Sequence, residues 1–187
     1  MDSRRNPVAV TERRLYPRQV GGQGREPTVL DLPVTVGDLR DDEVPGLGWA
    51  GRPGYCDSVA EELVDRDAGV LDYLAVRGPA GLPIALGGVR FDRRRDSGTI
   101  YQLAVMPPLQ SCGVGTMLIR ALENRARARG ASHVDLGVTD GNPRARALYE
   151  RLGYVEFARG TDKWTYRDKD GATVEVVDEC TLLYRDL

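Results

Sequence analysis

The sequence predicts an α/β layer fold with a mixed sheet, and three observations carry that reading. Between Ile100 and Gly130, a strand stopped by Pro107-Pro108 runs into a glycine-containing turn that opens a helix. A second strand then leads to a helix opened by Asn142-Pro143 and closed by Gly153. Extended segments joined by short polar turns flank these two strand–helix units on both sides. Elements in that order stack as helices on a sheet. A chain of 187 residues can bury a sizeable core in one domain, expected over 28–187, with 1–27 as a flexible tail.

Taken in order, Met1 to Glu26 is polar, carries six arginines and has no sustained periodicity. Thr28 to Val36 is the first expected strand, with Pro33 marking an edge or a bulge. Gly37 to Glu43 suits a short helix. Pro45 to Tyr55 is too rich in Gly and Pro for a regular element. Asp57-Ser58 caps a helix through Val64, with Val59 and Leu63 facing inward. Val70 to Arg77 and Ile84 to Phe91 form an antiparallel pair, in which Gly87-Gly88 marks a bulge or a close approach. Asp92 to Ser97 is a charged turn before the strand Ile100 to Val105.

Val114, Met117, Leu118, Ala121, Leu122 and Ala126 then recur at helical spacing, and Gly130 stands where a C-terminal cap belongs. His133 to Val138 is a short strand. Asn142 is a strong N-cap and Pro143 suits the first helical position. Ala145, Leu148, Tyr149 and Leu152 share one face of that helix. After Tyr154 comes a hairpin: Val155 to Phe157 and Trp164 to Arg167 run out, Asp168 to Gly171 turns, and Thr173 to Arg185 returns. Trp49 and Trp164 read as packing residues.

Composition excludes several classes. A formal charge of -2 gives no nucleic-acid or membrane signal, and no apolar run reaches a membrane span. Three widely spaced cysteines, Cys56, Cys112 and Cys180, with His133 as the only histidine, argue against a metal site. They suit a reduced, cytoplasmic chain.

Gly113 and Gly115 lie at a helix N-terminus, where unpaired backbone N–H groups and the helix dipole attract anions. No lysine precedes Thr116, so a Walker A loop fails. Leu118 stands where a dinucleotide fingerprint needs a small residue. The run Gln110-Ser111-Cys112-Gly113-Val114-Gly115 after a proline-stopped strand resembles the acetyl-CoA loop of the GNAT superfamily of N-acetyltransferases. Asn142, Ala145, Leu148, Tyr149, Gly153 and Tyr154 resemble that family's second motif, in the same order and at the usual separation. The resemblance runs roughly from Thr28 to Leu187.

The resemblance implies a three-layer fold with a mixed, mostly antiparallel sheet of about seven strands, and direct acetyl transfer from acetyl-CoA to a primary amine. It implies that Gln110, Ser111, Cys112, Gly113, Val114, Gly115 and Thr116 hold the CoA pyrophosphate. Leu103 and Val105 would offer backbone groups to pantetheine and the thioester, and Asn142 would touch the pantetheine arm. Tyr149 would protonate the departing thiolate as the catalytic acid. No metal is implied, and monomer and homodimer both remain open.

The chemistry sets matching requirements. An alkyl amine has a pKa of about 10 and must lose a proton before attack, while a thiol of pKa about 8.5 leaves more readily with an acid at hand. Many family members place a base glutamate where this chain has Thr99, and no carboxylate lies between Asp96 and Glu123. The base is therefore unassigned. A non-catalytic acyl-CoA sensor is the alternative reading. The resemblance implies that the region between the first strand and the second helix walls the acceptor site; here it holds Asp41, Asp42, Glu43, Trp49 and Tyr55, which suit either a cationic small molecule or a solvated acidic loop. Peptide amines remain open as acceptors.

Overall fold

The structure, a computed structural model, describes residues 32–51, 53–167 and 171–187, with the side chains of 164, 166 and 167 left aside. The expected tail over 1–27 and the start of the expected first strand lie outside the described residues. Seven strands form one sheet in the order β1-β2-β3-β4-β5-β7-β6. These are Thr35–Asp38, Leu71–Arg77, Pro83–Arg90, Ser97–Val105, His133–Thr139, Val155–Arg167 and Thr173–Asp186 for β1 to β7. Only β4 and β5 pair in parallel; every other neighbouring pair is antiparallel. Three α-helices, α1 (Tyr55–Asp67), α2 (Val114–Ala128) and α3 (Pro143–Arg151), and a 3-10 helix over Asp41–Trp49 cover the sheet.

Two cores lie on the two faces. On one, Leu118, Ile119 and Leu122 of α2 and Tyr149 and Leu152 of α3 pack with Leu74, Val76, Val89, Ile100 and Leu136. On the other, Leu47 of the 3-10 helix and Val59 and Leu63 of α1 pack with Leu71, Tyr73, Ala75 and Leu86. Alternate residues of β2 thus serve opposite layers, as the period of a strand requires. The parallel β4–β5 step follows from α2, which carries the chain back across the sheet before β5 begins.

Several local features differ from the sequence reading: β4 begins at Ser97 rather than at Ile100, because pairing with β5 starts there. β1 starts at Thr35, beyond Pro33. The segment from Pro45 to Trp49 is not irregular, because the 3-10 helix continues through it and buries Leu47. Helix α1 begins at Tyr55 behind Gly54, whose φ of 86° supplies the turn, rather than at Asp57-Ser58. β6 is one strand across the whole of Val155–Arg167, because it pairs along its length with β7.

The 3-10 helix is tied to the sheet by a buried ion pair. Arg77 Nε and Nη2 donate to the two carboxylate oxygens of Glu43 at 2.6 Å each, and the Arg40 backbone N–H adds a bond of 2.8 Å. Glu43 is 8 % exposed. Burial alone would raise its pKa. The Arg77 hydrogen bonds and the Arg40 amide outweigh burial and hold the carboxyl below its ordinary 4.5. Its stabilising contribution is therefore complete above that value and is lost as pH falls through the lower folded value.

Glu43→Gln leaves the Arg77 charge buried without its partner. It should cost about 3 kcal/mol and lower Tm by roughly 6–12 °C at neutral pH. Urea denaturation from neutral pH to about pH 3.5 should show the gap between wild type and variant narrowing with acid. A gap independent of pH would show that the ion pair is not the source of the loss.

Candidate active site

The site begins with a distortion in β4. Gln102 has a φ of 50°, and the β3–β4 register shifts between Leu86 and Gly88. A residue of this type in left-handed backbone costs of order 1–3 kcal/mol unless its surroundings hold it. Here they do. Tyr73 Oη donates to Gln102 Oε1 at 2.9 Å, Gln102 Nε2 donates to Ser58 Oγ at 3.1 Å, and Tyr55 Oη donates to the Gln102 carbonyl at 3.3 Å. Gly87 and Gly88 make room on β3: a Cβ there would lie 2.6 Å from Leu103 Cδ2 and 2.7 Å from Tyr101 Cε1. The glycine pair is both the bulge and the close approach that its sequence suggests.

Beyond the bulge the sheet splits. β4 and β5 pair from Ser97↔His133 to Ile100↔Leu136 and no further, although both strands continue. Met106 N–H still bonds to the Ile84 carbonyl at 2.9 Å. Alternation along the strand therefore turns the amide and carbonyl of Val105, and those of Leu103, toward the split. The Val105 carbonyl already accepts there from Gln110 Nε2 at 3.0 Å.

Two clefts open along this line. The smaller, of 260 Å³, is lined by Leu103, Val105, Gln110, Ser111, Gly113, Gly115, Thr116, Asn142 and Tyr149 among others. It thus gathers most of the residues that the sequence places at a CoA site. Val114 instead turns into the core at 1 % exposure, and Cys112 is half-buried with its Sγ 3.7 Å from the Gln110 carbonyl. Gly113, at φ 87°, caps the start of α2, and the first helical bond is donated by Met117 N–H to the Gly113 carbonyl at 3.0 Å. The amides from Gly113 to Thr116 therefore have no helical partner and lie at the positive end of the dipole. A Cβ at Gly115 would lie 3.5 Å from Val105 Cγ2 and 3.6 Å from Leu148 Cδ2, which is ordinary contact. The fold itself does not demand glycine there, so the bare backbone suits close approach by a ligand.

Arg144 is a residue the sequence reading missed. From the first turn of α3 it donates to Gln110 Oε1 at 2.8 Å and Ser111 Oγ at 2.6 Å, and so adds positive charge to the same loop. Its only sequence signal is proximity to the Asn142 cap. Asn142 Oδ1 accepts from the Ala145 amide at 3.1 Å, as an N-cap should. Tyr149 is 7 % exposed, and burial pushes its hydroxyl pKa up to about 12. It therefore carries its proton throughout the neutral range.

The larger cleft, of 740 Å³, lies on the other face of the sheet, past the end of α1. Its floor includes Thr99, Tyr101 and Gln102 of β4, Asp135, Gly137 and Thr139 of β5, and Cys180 and Leu182 of β7. Tyr55, Ser58 and Glu62 of α1, the turn residues Arg93 and Arg94, and Thr161, Asp162 and Thr165 of β6 form its walls. On β4, Gln102 lines the larger cleft and the next residue, Leu103, lines the smaller.

The expected acidic wall is corrected here. Asp41 pairs with Arg66 and Asp42 with Arg40, both at 3.0 Å, and Glu43 is buried against Arg77. Trp49 packs against the α1-side core. None of these lines the larger cleft; of the five, only Tyr55 does. Glu62 supplies a carboxylate in its place, engaged by Arg90 Nη1 at 2.9 Å and by the Tyr101 hydroxyl. Burial and the bond to Glu62 raise the Tyr101 pKa. Sequence spacing could not find Glu62, because its contacts with Tyr101 and Arg90 cross 39 and 28 residues. Among the described residues no cluster could hold a metal ion, and no helix is long and apolar enough to cross a membrane.

Comparison with known proteins agrees with this geometry. The chain is 33% identical over 121 residues to the mycothiol acetyltransferase of Kocuria rhizophila, covering 65% of this chain and 35% of that protein. It is 34% identical over 61 residues to the [ribosomal protein bS18]-alanine N-acetyltransferase of Haemophilus influenzae, covering 33% of this chain and 41% of that one. The chain thus spans well under half the length of these curated relatives. Among solved structures, the ribosomal-protein-S18-alanine N-acetyltransferase of Escherichia coli superposes with a TM-score of 0.62 at 20% identity, covering 82% of this chain and 93% of that one. A Salmonella typhimurium protein whose structure is described with its cofactor acetyl-CoA superposes with a TM-score of 0.63 at 17% identity, covering 82% of this chain and 94% of that one. At these identities the likeness is one of fold. The model of the Acetyltransferase (GNAT) family matches residues 41–154, from the 3-10 helix through both glycine-closed motifs, and shows that this chain belongs to the GNAT family.

Proposed function

We propose that the protein transfers an acetyl group from acetyl-CoA directly to a primary amine, with the donor in the smaller cleft and the acceptor in the larger. The observation that carries this reading is the split between β4 and β5, which joins an anion-attracting loop on one side to a polar cleft on the other. The amides from Gly113 to Thr116, with Arg144 beside them, would hold the pyrophosphate. The Leu103 and Val105 backbone groups in the split would hold the pantetheine arm and the thioester oxygen. Asn142 borders the same arm while capping α3.

Tyr149 is the proton donor to the departing thiolate. It lines the donor cleft and retains its proton across the neutral range. Transfer without an acyl-enzyme is supported by the thiols. Cys180, the cysteine lining the acceptor cleft, is 4 % exposed, and burial raises its pKa, so it stays a thiol rather than a nucleophilic thiolate. The larger cleft carries the carboxylates of Glu62, Asp135 and Asp162 beside Arg93 and Arg94, which suits an acceptor that arrives as an ammonium ion, whether small molecule or peptide.

Gly115→Asp places a carboxylate at the phosphate position without backbone strain, since Gly115 is not in left-handed backbone. Calorimetry should show CoA affinity falling about 10²-fold or more, with Tm within a few degrees of wild type. Unchanged affinity in the folded variant would remove the loop from the donor site. Tyr149→Phe deletes only the hydroxyl. Turnover should fall about 10²-fold while CoA affinity holds, and the wild-type kcat should show no basic limb attributable to Tyr149 below roughly pH 10. Wild-type turnover in the variant would return Tyr149 to a packing role.

A further inference from the structure

Acetyl transfer to an ammonium ion needs a proton acceptor, and the donor cleft contains none. Of the three carboxylates in the larger cleft, Glu62 is held by Arg90 and Tyr101, and Asp162 is exposed on β6. Asp135 differs from both. It is 7 % exposed and has no cation within ion-pair distance among the described residues. Among the described residues, its one side-chain hydrogen bond comes from Ser97 Oγ to Oδ2 at 2.9 Å. No side-chain oxygen among the described residues is both fully buried and unpaired, so the remaining oxygen, Oδ1, reaches the cleft.

Its position in the sheet fits the same role. Asp135 pairs with Thr99 one step before the β4–β5 ladder ends, and alternation puts it on the acceptor face with Gly137. Gly137, two residues on, is past the end of the ladder, about 6.6 Å along the strand from Asp135. An acceptor nitrogen seated over Gly137 would be reached from Asp135 through one bridging water.

Resting on the acetyl-transfer reading above, we propose that Asp135 is the general base of this site, taking the proton that the acceptor ammonium must lose, with Ser97 as its positioning residue. One N–H proton passes from the ammonium to Asp135 Oδ1. The freed lone pair forms the C–N bond to the thioester carbon, and the C–S bond breaks as the tetrahedral adduct collapses. The thiolate takes the Tyr149 proton. The second proton lost by the new amide nitrogen restores Tyr149, and Asp135 returns its own to solvent. Charges and protons then balance to amide, free thiol and one released proton.

Several groups face Asp135. His133 lies on its own strand, Tyr101 on β4, and Arg93 and Arg94 on the preceding turn. Glu62 faces it from α1, and Asp162, Cys180 and Tyr184 come from the β6–β7 pair. None of these gives Asp135 a hydrogen bond, so Ser97 alone positions the carboxylate.

The test uses acetyl-CoA with a panel of alkylamines, spermidine and alanine-initiated peptides, following thiol release across pH with the fastest acceptor. For Asp135→Asn, kcat/KM near neutral pH should fall at least about 10²-fold with acetyl-CoA affinity unchanged. The residual rate should climb about tenfold per pH unit toward the amine's own pKa, because the variant must wait for the neutral amine. Ser97→Ala removes the donor to the carboxylate and should lower kcat with KM for the acceptor held, with far less loss of rate than Asp135→Asn. If wild type turns over but Asp135→Asn keeps its rate, or keeps the wild-type pH profile at a lower rate, Asp135 is not the base and acetyl transfer still stands. If wild type binds acetyl-CoA but releases no thiol with any acceptor, both readings fall together.

Discussion

The architecture of the site depends on one strained residue. Gln102 sits in left-handed backbone inside a strand, a state that isolated chain would not hold. It persists because two tyrosine hydroxyls and a serine, all from the α1 side, over-determine its side chain and carbonyl. The bulge reverses which residues of β4 face which layer. Tyr101 before it looks into the larger cleft, and Leu103 after it packs with the α2-side core. It also ends the alignment with β5, so the sheet opens and leaves backbone groups available in its middle. A cleft lined by main chain is tolerant of side-chain drift, because substitution changes neither amide nor carbonyl.

Charge in this arginine-rich chain is arranged by pairing rather than by net sign. Glu43 with Arg77, Asp72 with Arg129 and Glu123 with Arg120 and Arg185 all bury a carboxylate against a guanidinium. Removing a charge from water is expensive unless it is paired, so most buried carboxylates here carry a structural partner. Asp135 stands apart because, among the described residues, a hydroxyl is its only side-chain donor. A buried carboxylate left without a cation is an energetic cost that a purely structural position would have no reason to retain.

Much of the fold was legible because its signals are local. Asn142 caps α3 with its own side chain three residues ahead. Gly113, Gly130 and Gly153 adopt the left-handed backbone that turn and cap positions require. Gly87-Gly88 marks the bulge by lacking the Cβ atoms that would strike Leu103 and Tyr101. What sequence could not supply is set by register. The acidic run at Asp41 looked like a binding wall, but Arg66 and Arg77, brought in from α1 and β2, neutralise it. The 3-10 helix through Pro45 owes its regularity to Leu47 and Val44 packing on β2 and β3, a tertiary gain that outweighs weak local propensity.

Register also explains why the carboxylate proposed as base escaped notice. A search along β4 finds Thr99 and stops, since period-two reasoning looks only within a strand. The parallel pairing Thr99↔Asp135 places a carboxylate at the adjoining position across the ladder, 36 residues away in sequence and on the same face. In a sheet a functional group belongs to a location, and either of two neighbouring strands can occupy it. A carboxylate on β5 leaves the β4 backbone free for the role proposed for it in the split. Chemistry that depends on side chains and chemistry that depends on main chain then occupy different strands of one floor, and substitutions in one need not disturb the other.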